Sequence, residues 1–179
     1  MTETQYKNFQ IKLKSNKVFR WFWQFWAIYS FAFFAAAFGF IYSNAKALGV
    51  PWEVVFLDTV IAFFIARVLI VTLINLLYKR ERPYQKFNFS PITSIFFSYK
   101  TNYHNSFPSR HTSAYVAAAV VVLMFIPQLG LGLIAVSLLA GAGRVVLGYH
   151  WPSDIIAGAF LGAVVGFFTV ILMSQPVLF

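Results

Sequence analysis

From Val54 to Tyr78 the chain is apolar for about 25 residues, interrupted only by Asp58, Arg67 and a few uncharged polar groups. A helix of that length, rising 1.5 Å per residue, exceeds the roughly 30 Å hydrocarbon core of a bilayer. An open strand there would leave backbone N–H and C=O groups unpaired in lipid, at several kcal/mol each. The run therefore fixes its own structure as helix and its surroundings as membrane.

Four further runs share this character: Trp21–Tyr42, about His111–Ile126, about Leu129–Leu147 and about Ile155–Met173. With 60% hydrophobic and only 11% charged residues among 179, the chain falls outside the composition of an ordinary soluble domain. The expected fold class is all-α. It is a polytopic membrane helical bundle of about five transmembrane helices, forming one membrane-embedded domain over residues 1–179. The basic segment Met1–Arg20 is expected to be an interfacial helix or tail, and Trp21, Trp23 and Trp26 behind it suit a membrane interface. Tyr84–Phe107, rich in aromatics but broken by Asn, Ser and Pro, is expected to be an interfacial loop. Turns are expected at Asn44–Trp52 and at Pro127-Gln128. Gly158, Gly162 and Gly166 repeat every four residues, a pattern that lets helix backbones approach closely in lipid, with Ser137 and Gly141 as the expected counterpart.

The formal charge of +9 sits in residues flanking the apolar runs rather than along a stripe on a soluble surface. That distribution points to anionic lipid or phosphate as partner and away from nucleic acid. There is no cysteine, which removes disulfides and thiolate chemistry. Trp21–Tyr42 is too long for the core of a signal peptide and lacks a cleavage pattern, so the first span is expected to be retained.

Two short polar clusters stand out against this background: Ser106-Phe107-Pro108-Ser109-Arg110-His111-Thr112, and Arg144 with Gly148-Tyr149-His150 and Asp154. A helical hairpin between them returns both to one membrane face. Ser109 is a natural N-cap for the helix that follows, which puts Arg110, His111 and Thr112 in a first turn whose free N–H groups favour an anion. Pro152 suits the first turn of the last helix, with His150 just outside and Asp154 inside, so the carboxylate can reach back to one imidazole nitrogen. Arg82, Arg110 and Arg144 supply planar, permanently charged forks suited to phosphate oxygens. Together these groups describe phosphoryl transfer: His150 as nucleophile, Asp154 orienting it, His111 as acid and base. No cofactor or metal is required. A metal held by the two histidines and the carboxylate is the alternative, disfavoured by the surrounding arginines. His104 is read as a loop residue. Arg67, in mid-span, is expected to face the bundle interior, out of register with Asp58.

In these residues the chain resembles the phosphatidic acid phosphatase type 2 family, which includes lipid phosphate phosphatases and bacterial prenyl-diphosphate phosphatases. The family's motifs are Lys, six residues, Arg-Pro; then Pro-Ser-Gly-His; then Ser-Arg, five residues, His, three residues, Asp. Arg82-Pro83 matches the end of the first, Pro108-Ser109-Arg110-His111 most of the second, and Arg144, His150 and Asp154 the third at full spacing. The resemblance covers residues 75–154. It implies His150 as nucleophile, Asp154 as its partner, His111 as acid/base, and Arg82, Ser109 and Arg144 as phosphate ligands.

Three positions depart from the pattern: Asn75 replaces the lysine, Arg110 the glycine and Gly143 the serine. A helix reaching Glu81 would set Asn75, Lys79 and Arg82 on one stripe, so Lys79 or Arg110 is expected to supply the missing charge. The expected substrate is a phospholipid or prenyl phosphate in the bilayer, with a diphosphate favoured by the extra charge at Arg110. A lipid phosphotransferase and a catalytically lapsed lipid-binding protein are the alternatives. Five spans place the amino terminus and both polar clusters on one face of what is expected to be a bacterial cytoplasmic membrane. The tail charges make that face cytoplasmic by the positive-inside rule, while the resemblance points to the outer leaflet.

Overall fold

The computed structural model describes residues 3–89 and 105–173. All regular structure among them is helical: α1 (Glu3–Ser15), α2 (Lys17–Tyr29), α3 (Phe31–Leu48), α4 (Trp52–Phe64), α5 (Val71–Leu77), the short α6 (Pro83–Lys86), α7 (Arg110–Phe125), α8 (Pro127–Val146) and α9 (Pro152–Met173). A π-helical segment, Ile65–Ile70, joins α4 to α5 without a break, so Trp52–Leu77 is one helix of 26 residues. That helix, α3, α8 and α9 are each long and apolar enough to cross a membrane. The expected third span is α7, apolar but only 16 residues long. Large apolar side chains on the outer faces, among them Leu76, Ile156, Phe160 and Leu172, are exposed as a lipid-facing surface requires.

The centre is α7. It packs chiefly against α9, α8 and α4, and Thr112–Ala119 are all buried. Its small residues explain the position. Gly158 of α9 lies against the Ser109 carbonyl, Gly162 against that of Ser113 and Gly166 against that of Ala117, so a side chain at any of the three would collide with α7 backbone. The glycine stripe therefore faces α7, and not the expected counterpart on α8. Gly141 of α8 does meet α9, but at Ile155 in that helix's first turn.

Several boundaries differ from the sequence expectation. Of the expected turn Asn44–Trp52 only 49–51 lie outside helix, and Pro127-Gln128 already belong to α8, which leaves Ile126 as the turn between α7 and α8. The run Trp21–Tyr42 is divided at buried Ser30, with α2 packed on α8 and the membrane-length helix shifted to Phe31–Leu48. The second span stops at Leu77, because Tyr78 turns extended (φ −131°, ψ 116°), four residues earlier than Pro83 alone demands. The interfacial segment is helical: α1 lays Leu13 on Ala27, Leu147 and Tyr149, and the Gln10 amide donates to the Val146 carbonyl at 2.8 Å. It thus covers the loop between α8 and α9. Of the expected loop Tyr84–Phe107, residues 90–104 lie outside the described residues, and so does His104.

Candidate active site

The extended strand of chain after α5 is the scaffold on which the site is assembled. Freed from helical hydrogen bonding, residues 79–81 bond outward instead. The Ser106 N–H donates to the Arg80 carbonyl at 2.8 Å and the Trp151 indole to the Glu81 carbonyl at 2.8 Å. The Asn105 amide donates to the Asn75 carbonyl at 2.7 Å. The Ser109 N–H donates to the Asp154 carbonyl at 3.0 Å, joining the start of α7 to the start of α9. Three segments distant in sequence are thereby held at one end of the bundle.

His150 is buried in this web, at 3% exposure. Its Nδ1 lies 2.9 Å from the Ser106 carbonyl oxygen and 3.5 Å from Asp154 Oδ2. A carbonyl only accepts, so Nδ1 carries the hydrogen and Nε2 keeps its lone pair. That lone pair faces Arg82 Nη1 at 3.3 Å. Burial pushes the imidazole down to about 4, Arg82 and Arg144 add to the shift and the Asp154 contact opposes it. The neutral ring is the resting form at neutral pH.

Asp154 stands behind His150, fully buried. Its Oδ2 accepts from the Trp151 N–H at 2.8 Å, and Oδ1 takes an ion pair from Arg80 Nη1 at 2.8 Å. The same Arg80 nitrogen donates to Ser153 Oγ at 2.7 Å, and its guanidinium stacks 5.5 Å from the Trp151 ring. Arg80 was not singled out in the sequence. Its only signal there is its place in the charged run Lys79–Arg82, where a helical reading makes Lys79 the inward residue. With the helix ended at Leu77 the stripe Asn75, Lys79, Arg82 does not exist, and Lys79 is exposed.

The other anticipated residues divide into two groups. Arg82 and Arg144 are turned into the site. Arg82 Nη1 donates to the Tyr149 carbonyl at 2.9 Å and Nη2 to the Asn105 carbonyl at 3.1 Å. Arg144, at 8% exposure, caps the end of α2 through Nη2 to the Ala27 carbonyl at 3.0 Å, leaving its buried Nε without a partner among the described residues. Ser109 is the N-cap of α7: its Oγ accepts from the Thr112 N–H at 3.4 Å and the Thr112 hydroxyl at 3.0 Å. His111, in the first turn of α7, lines one cavity with Arg67 and Arg144. Arg110 is half-buried and does not line the cavity described next.

That cavity, about 460 Å³, opens between α2, α3, α4 and α7. Its charged end is made by His111, Arg144 and Arg67, and its body by Phe31, Phe34, Phe38 and Phe63 among others. Among the described residues, no three His, Cys, Asp or Glu side chains gather as a metal-binding group.

The sequence matches the PAP2 superfamily over residues 57–177, and the protein belongs to that superfamily. It is 30% identical over 138 residues, 74% of its length, to the lipid A 1-phosphatase of Rhizobium johnstonii, covering 53% of that protein. It is 37% identical over 86 residues to the undecaprenyl-diphosphatase of Sulfolobus acidocaldarius, spanning 47% of this chain and 40% of that one. Against the undecaprenyl-diphosphatase BcrC of Bacillus subtilis it is 32% identical over 62 residues, 35% of this chain and 32% of that protein. The chain spans about half the length of the rhizobial relatives it matches.

Proposed function

We propose that the protein is an integral membrane lipid phosphatase that works through a phosphohistidine at His150. The observation that carries this reading is the orientation of that ring. Its Nδ1–H is committed to the Ser106 carbonyl, so Nε2 keeps its lone pair, which here accepts from Arg82 Nη1 at 3.3 Å; a phosphate that takes over that guanidinium would be presented to Nε2 for attack.

The steps follow from the groups present. A phosphoryl group sits among Arg82, the free Nε–H of Arg144 and the N-terminus of α7 behind Ser109. Nε2 attacks phosphorus and the P–N bond forms as the bond to the lipid oxygen breaks. His111 gives that oxygen its proton. The developing imidazolium is stabilised by Asp154, itself held by Arg80. Water then gives a proton to His111 and its oxygen attacks phosphorus. The P–N bond breaks, inorganic phosphate departs and His150 is restored. The lipid chain lies in the phenylalanine-lined cavity, on the His111 side of the scissile bond.

The relatives, a lipid A 1-phosphatase and undecaprenyl-diphosphatases, support lipid phosphates and diphosphates as the substrate class. The reading places the protein in a bacterial cytoplasmic membrane. The test is phosphate release by purified protein in detergent, with chelator present, from prenyl diphosphates, phosphatidylglycerophosphate, phosphatidate and lipid A. Turnover on at least one, lost in His150→Ala, is expected. A phosphoryl group passed to a second lipid without release of phosphate would make it a transferase, and no turnover on any substrate would leave a binding protein.

A further inference from the structure

Arg67 sits ten residues before the end of its span, about 15 Å along the axis from Leu77 and so near mid-membrane. A charge there costs at least a few kcal/mol, and such residues face the bundle interior or a cavity. Arg67 does so from the π-helical segment, a geometry often found at functional sites, half-buried, with its guanidinium 5.8 Å from the Phe63 ring. On this helix the residues lining the cavity are Thr59, Val60, Phe63, Phe64 and Arg67. Arg67 is the one closest to the catalytic end. On the facing helix the lining order from that end is His111, Tyr115, Ala118. Arg67 therefore stands where the charged mouth gives way to the phenyl wall, on the side from which a lipid tail approaches.

Position decides the chemistry. In the reaction proposed above, the leaving oxygen departs toward His111 and the tail. A phosphomonoester leaves as an alcohol, which after protonation carries no charge for a cation to hold. A lipid diphosphate cut at its terminal phosphorus leaves as a lipid monophosphate, whose oxygens remain anionic. Only the second has use for a guanidinium beyond His111. Asn75 cannot act in its place, being neutral and buried.

We propose that Arg67 binds the proximal phosphate of a lipid diphosphate and makes the enzyme selective for diphosphates over monophosphates of the same tail. This rests on the phosphatase reading, and its test keeps the two apart. Purified full-length protein is assayed for phosphate release from farnesyl diphosphate and farnesyl monophosphate, as wild type, Arg67→Met, Arg67→Lys and His150→Ala. Wild type is expected to favour the diphosphate. Arg67→Met should lose at least about tenfold in kcat/KM on the diphosphate, a change of about 1.4 kcal/mol in transition-state binding. It should stay within about threefold on the monophosphate, which also shows that the variant is folded, and Arg67→Lys should recover part of the loss. Equal losses on both substrates, or no loss on the diphosphate, would overturn the assignment while leaving the phosphatase intact. A wild type inert toward both would overturn the assignment of a lipid diphosphate, and His150→Ala as active as wild type would sink the phosphatase reading and this one together.

Discussion

At His150 two acceptors compete for one hydrogen, and distance decides between them: 2.9 Å to the Ser106 carbonyl against 3.5 Å to the Asp154 carboxylate. The tautomer is thus set by backbone, with Asp154 contributing charge. Asp154→Asn should then lower kcat by roughly ten- to a hundred-fold, the usual scale for an outer partner, and Arg80→Ala by a similar factor. A loss in Asp154→Asn as large as in His150→Ala would show that the carboxylate sets the tautomer after all. The imidazole should titrate near 4 and not near its ordinary 6.5, as read from labelled-histidine NMR with the resonance identified by its absence in His150→Ala. The sign for stability follows: the unfolded histidine takes up a proton below 6.5 while the folded one resists until about 4, so this group's contribution to stability falls as pH drops through that window. A midpoint at 6.5 with no such loss would contradict the burial argument. The spacing of His150 and Asp154 was readable in the sequence, since four residues across a helix start bring two side chains together. The Ser106 carbonyl was not, because every residue has one, and Arg80 was hidden by the assumption that the helix ran on to Glu81.

Among the elements, the pairing of α7 with α9 matters most, because it carries the Ser109–Asp154 backbone bond that joins two of the three site segments. Gly162→Leu should destabilise the detergent-solubilised protein by about 1–3 kcal/mol, the usual cost of forcing bulk into a packed interface. Gly39→Leu on α3, where the space is open, should leave the melting temperature nearly unchanged. Equal melting temperatures for the two would mean that this interface is not the one holding the bundle. The glycine stripe was legible as a packing surface, but its partner was not. The Ser109, Ser113 and Ala117 face reads as the ordinary start of a helix until Gly158, Gly162 and Gly166 are laid against it. The division of the first run at Ser30 was likewise invisible, for no proline or glycine marks it.

Over the whole molecule, α1 and the site gather at one end while the turn after α3 lies at the other. The cysteine-free chain makes this directly testable. Single cysteines at Lys14 and Lys86 should react with an impermeant maleimide from the same side of the membrane, and one at Lys46 only from the opposite side; any other pattern breaks the five-crossing arrangement. That arrangement was the most legible feature of all, since long apolar runs leave the chain no other way to satisfy its backbone in lipid. The covalent intermediate is the claim on which the rest stands. Protein carrying His111→Asn, given substrate labelled at its terminal phosphorus and quenched in alkali, should hold acid-labile label on His150, and none when His150 is also replaced. Unlabelled protein, with phosphate released in a single displacement that inverts configuration at phosphorus, would contradict it.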